Sequence, residues 1–125
     1  MKFKNKYHVE HAVCLAFTKL GMLAGVNVGY GTGPDDLDQD LIMACYESNF
    51  GDPHFLGGPT CIIRIESMEK IDKVFTKAFG VADRLAHYIS AHGSVNKVKL
   101  AKQNHAVIVA AHRWLIQSVN ATDKN

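Results

Sequence analysis

Two long runs of helical spacing, separated by only Gly93 and Ser94, constrain this fold more than any other feature. From Ser67 to about His92, the residues Ile71, Phe75, Ala78, Ala82, Leu85 and Ile89 recur every three or four positions. From Val95 to about Asn120, Val98, Ala101, His105, Ile108, His112, Leu115 and Val119 do the same. Apolar residues at that interval share one face of a helix. Ser67 is an N-cap type for the first run; Gly93 ends it, and Ser94 caps the second. Rods of this length joined by so short a turn lie antiparallel, as an αα-hairpin. The rest of the chain must then cover the apolar face that the hairpin leaves open.

Upstream, Val9, Val13, Ala16, Phe17, Leu20 and Leu23 predict a helix from about Tyr7 to Ala24, closed by Gly25. Val26 to Tyr30 reads as a short extended piece entering the turn Gly31-Thr32-Gly33-Pro34. Asp35 or Asp36 then caps a helix to about Asn49, with Leu37, Leu41, Ala44 and Cys45 inward. Residues 50–59 are a Gly- and Pro-rich loop, and Cys61-Ile62-Ile63-Arg64-Ile65 reads as a strand within residues 60–66. In the last helix Leu100, Val107, Ala111 and Trp114 form a second apolar face, so that helix should be central, against the first and third. The expected fold is mainly α: a four-helix domain over residues 1–125 with a C-terminal αα-hairpin and a minor β element near 60–66.

The charge is segregated. Residues 1–19 carry +3, 20–63 carry −6, 64–91 carry +1 and 92–125 carry +4, within a total of +2. No Lys or Arg lies between Lys19 and Arg64, where Asp35, Asp36, Asp38, Asp40, Glu47 and Asp52 stand. A one-signed field of this kind bears on partners and ions. Asp36, Asp38, Asp40 and Glu47 have the spacing of a calcium loop, but Leu41 stands where that loop needs its Gly, and glycines and a proline precede it in place of a helix. The helical reading puts Asp36, Asp40 and Glu47 on one face, available to a basic partner. Gly29, Gly31 and Gly33 lack phosphate-loop spacing, and two Asp open the helix that follows, where a phosphate would need to sit.

Seven histidines offer the remaining chemistry. His8 and His11 are one helical turn apart and could share a divalent metal with His54, Asp36 or Asp40. Tyr30, His54 and Phe55 stand on the two Gly-rich loops, 29–34 and 50–59, which are natural lids for a small-ligand pocket. His105 and His112 lie in the heptad seam with Ile108 and Leu115. They read as satisfied core histidines, as polar positions that fix the register of a homodimer, or as bundle ligands. The excess apolar perimeter of the last helix favours a homodimer built on the hairpin, with those four residues at its interface.

Cys14, Cys45 and Cys61 form an odd set without close spacing, which predicts free thiols, a reducing compartment and a cytoplasmic location. There is no membrane-length apolar run. Lys97, Lys99, Lys102 and Arg113 are too sparse for a nucleic-acid stripe and are opposed by the acidic segment. No nucleophile motif is present. The functional expectation is a small binding protein, a homo-oligomeric regulator or inhibitor offering carboxylates to a basic partner, without a cofactor. The alternative is a pocket or metal-dependent enzyme built from the two loops with His8, His11 and His54.

Overall fold

A computed structural model of the protein describes residues 2–50 and 71–123. Four helices follow one another: α1 (Lys6–Leu23), α2 (Gln39–Phe50), α3 (Ile71–His92) and α4 (Val95–Asp123). The fold is mainly α. The expected strand at residues 60–66, the loop at 50–59 and the Ser67 cap all lie outside the described residues.

The αα-hairpin forms where the sequence places it. Gly93 donates its N–H to the Ile89 carbonyl at 2.6 Å. A Cβ on Gly93 would stand 2.7 Å from that same oxygen, so close backbone approach explains the glycine. Ser94 then caps α4: its Oγ accepts from the Lys97 N–H at 3.3 Å, and its carbonyl accepts from Val98 at 3.0 Å. Phe79 meets His112 and Asp83 meets His105, so residue numbers run oppositely along the two rods.

α1 covers the open face of that hairpin. Asn5 caps it, its side-chain oxygen accepting from the His8 N–H. Val9, Val13, Phe17 and Leu20 are fully buried and join Leu85, Ile89, Ile108 and Leu115 in one core. α4 packs against both α1 and α3, as its second apolar face implies, and α2 lies mainly on α1. Burying side chains of this size contributes about 1.5–3 kcal/mol each.

The α1–α2 contact is close because Gly21 is a glycine. A Cβ there would fall 2.6 Å from the Cys45 Sγ. Cys45 is buried and free, whereas Cys14, also buried, is disulfide-bonded. The expectation of three free thiols therefore fails at Cys14. A disulfide is favoured by an oxidising environment, so the argument for a reducing compartment falls with it.

Two local expectations are corrected. Val26 to Tyr30 is not an extended segment: Asn27 and Thr32 form an isolated antiparallel bridge that closes a turn, with Gly31 at φ 67°. The second helix starts at Gln39 rather than at Asp35 or Asp36. The Leu37 N–H bonds back to the Pro34 carbonyl at 3.1 Å, making a turn that drives Leu37 into the core. Only then does the Asp38 carbonyl accept from Leu41 and Ile42. Burial of Leu37 outweighs the capping preference of the two aspartates. Among the described residues no helix is long and apolar enough to cross a membrane.

Candidate functional site

The turn before α2 leaves its aspartates facing the C-terminal half of α3. Asp36 accepts a hydrogen bond from the Tyr88 hydroxyl at 2.8 Å and lies 3.7 Å from His92 Nε2. Tyr88 and His92, one turn apart on α3, have ring centroids 4.3 Å apart. Arg84, one turn earlier again, forks between two carboxylates: it donates to Asp40 at 2.8 Å and also to Asp38. Arg84, Tyr88 and His92 thus make one polar line, at intervals of four residues, beside the apolar stripe of Leu85 and Ile89.

These contacts border a groove of about 490 Å³. Leu37, Leu41 and Ala91 give it apolar walls; Asp36, Asp38, Asp83, Arg84, His87, Tyr88 and His92 supply its polar ones. Four carboxylates, Asp40 included, stand against one guanidinium. Asp83 has a tie of its own, 2.6 Å from His105 Nε2. The field of the groove is therefore negative even with Arg84 in place.

Electrostatics within the groove follow from those pairs. The Arg84 hydrogen bond and its positive charge hold the Asp40 carboxyl below its ordinary value. Asp40 and Asp38 in turn raise the Arg84 guanidinium further. The Asp36 carboxylate accepts the Tyr88 proton and pushes the phenol upward. Asp40 and Arg84 are solvent-exposed, so their pairing contributes little to stability.

Asp36 lines the groove and Asp40 joins it only through Arg84, so the two do not act as one helix face. Asp36 precedes α2, and both are engaged by α3. The side chain of Glu47 lies outside the described residues, as do His54 and Phe55. Tyr30 is 81% exposed on the Asn27–Thr32 turn and does not line the groove. His8 uses Nδ1 to accept the Lys4 N–H at 3.1 Å and sets its ring edge-on to Phe3, a local role at the start of α1. His11 is exposed on the same helix. Among the described residues, no three His, Cys, Asp or Glu side chains are grouped so as to hold a metal.

The four seam residues are all engaged within the same chain, Ile108 and Leu115 buried and His105 and His112 half-buried. Ile108 and Leu115 are completely buried in the core that α1, α3 and α4 share, which leaves them no area to offer a second copy. His105 meets Asp83, and the His112 ring stands edge-on to Phe79 at 5.3 Å. The heptad spacing is satisfied by α4's own neighbours, and an interface drawn through Ile108 and Leu115 is corrected accordingly.

Sequence reasoning missed Arg84, Tyr88, His92 and Asp83. The four-residue spacing of Arg84, Tyr88 and His92 beside the α3 stripe was a usable signal, but what they face depends on where the 34–38 turn falls. No family model, curated protein or solved structure matches this chain.

Proposed function

We propose that this chain is a non-enzymatic binding protein whose groove between residues 36–41 and α3 receives a basic segment of a partner. The observation that carries the reading is the imbalance around the groove: Asp36, Asp38, Asp40 and Asp83 against Arg84, with apolar walls from Leu37, Leu41 and Ala91. A Lys or Arg side chain suits it on both counts, since its methylenes pack on apolar surface while its charge reaches the carboxylates. A groove of about 490 Å³ accepts a few side chains of an extended or helical segment rather than a whole domain. Arg84 already shows one such guanidinium engaged by two aspartates.

The test is a titration of the intact protein with a fluorescent oligo-arginine peptide at two ionic strengths. Binding should weaken about tenfold or more between low and physiological salt, because exposed charges are screened over about 8–10 Å. Asp36→Asn combined with Asp38→Asn should weaken it about tenfold at low salt. Binding indifferent to salt and to both substitutions would reject the reading.

A further inference from the structure

We propose that a second copy of this chain seats on the exposed face of α3, with the basic edge of each copy entering the acidic groove of the other. The inference rests on the groove reading in one respect: the groove accepts basic side chains.

The two complementary surfaces flank one ridge. On one side of α3, Tyr88, Arg84 and His92 border the acidic groove. On the other side, Ser90 and Gly93 meet Val95, Val98, Lys99 and Lys102 of α4 around a second groove of about 410 Å³. That edge is basic beyond Asp83, which shares a cavity with Ser90 and Lys102 and is itself tied to His105. From Leu85 to Thr122 the chain has no acid, and Lys97, Lys99 and Lys102 are all exposed on the first turns of α4. It is also partly apolar, with Val95 85% exposed, matching the apolar walls of the acidic groove.

The ridge between them is low at its two ends, on either side of the exposed Asp83, Arg84 and His87. Gly80 has open space where a Cβ would stand, and Ser90 and Ala91 are small and exposed. Small side chains let two helices approach closely. An acidic and a basic surface side by side on one face are related to their complements by a half-turn. A twofold axis running along the ridge, parallel to α3, therefore satisfies both contacts at once and closes the assembly as a dimer. This differs from a dimer on the heptad seam, whose Ile108 and Leu115 are buried within the chain's own core.

The arrangement also regulates the site. In the dimer each groove is filled by lysines from the other copy, so a basic partner must displace them. Partner binding and self-association are mutually exclusive in this scheme, and each falls as the other rises.

Sedimentation equilibrium on the wild-type chain provides the test. The protein should associate to a dimer at about 100 µM in about 20 mM salt, with a dissociation constant at least about tenfold higher in about 300 mM salt. Lys97→Glu/Lys99→Glu/Lys102→Glu should be monomeric, and so should Asp36→Lys/Asp38→Lys. An equimolar mixture of the two should recover a one-to-one heterodimer. Ala91→Arg puts a cation on the groove wall where it meets the ridge without removing any ion pair, and it should also abolish the dimer; it carries the test if a charge-reversed chain does not fold.

A wild-type monomer under the low-salt condition overturns the inference, as does dimerisation unchanged by the lysine reversal or by Ala91→Arg. Oligo-arginine binding by a protein that never self-associates refutes this inference and leaves the groove reading standing. Self-association that meets the expectations above, without peptide binding, supports the dimer and removes the external partner.

Discussion

Cys45 shows how completely one residue's chemistry can be set by its neighbours. Its thiol is fully buried against Gly21, and burial raises it from 9.0 to about 12. A thiol raised in the folded state is stabilising below its unfolded value, and that contribution is lost as pH rises from about 9 toward 12. At neutral pH Cys45 should therefore resist a thiol reagent in the native protein and react only as fast as the chain opens. Stopped labelling with and without denaturant checks this; rapid native labelling at Cys45 would show that α2 is not seated as described. The groove carboxylate behaves in the opposite sense. Asp40 is lowered chiefly by its hydrogen bond to Arg84, so what the pair contributes is present above the ordinary carboxylate range and is lost as pH falls through the lowered value. Tyr88 is raised by Asp36, and its hydrogen bond persists until the phenol ionises above pH 10.

At the scale of elements, α1 meets the inward face of α2 at Gly21, a position that apolar periodicity does not single out. Gly21 lies inside a helix, where glycine costs about 1 kcal/mol relative to alanine. On an isolated helix Gly21→Ala would be stabilising by that amount. Here the added methyl would meet the Cys45 Sγ at 2.6 Å and the Cys45 Cβ at 2.9 Å, so α2 must shift. Overpacking of this kind costs about 1–3 kcal/mol, and Gly21→Ala should be net destabilising in a denaturant melt. The double variant Gly21→Ala/Cys45→Ala should recover part of the loss, because it removes the sulfur that the methyl strikes. Gly93 is different: its close neighbour is the Ile89 backbone, which no compensating substitution can remove. The helices themselves were legible in the sequence, α1 and α4 nearly to their ends and α3 at its C-terminal end. The start of α2 was not, because Leu37 had to find the core before the 34–38 turn could be fixed.

Across the whole molecule, α4 is the element on which the others depend. It lies against α1 and α3, and its Ile108 and Leu115 have no exposed surface. Leu115→Ala should cost about 2–5 kcal/mol, the range for emptying a buried aliphatic site. Ile108→Asp should prevent folding rather than release folded monomers, since it places an unpaired carboxylate in the core. Circular dichroism separates the outcomes: a folded Ile108→Asp chain with native helicity would return the seam to the surface.

Composition and spacing by themselves determined a mainly helical chain, its αα-hairpin, the inward faces of its helices and the separation of acidic from basic segments. Those properties are local, fixed by residues a few positions apart. The partners of each group were decided only by tertiary structure. Asp36 and Tyr88 are 52 positions apart, and Asp40 and Arg84 44. Nothing in the spacing along the chain says that the base-free window will be met by α3. The heptad seam shows the same limit: a helix periodicity specifies that a face is buried, but not whether the covering surface belongs to the same chain or to another. Here α1 and α3 of the same chain bury Ile108 and Leu115, because their apolar faces reach α4 first.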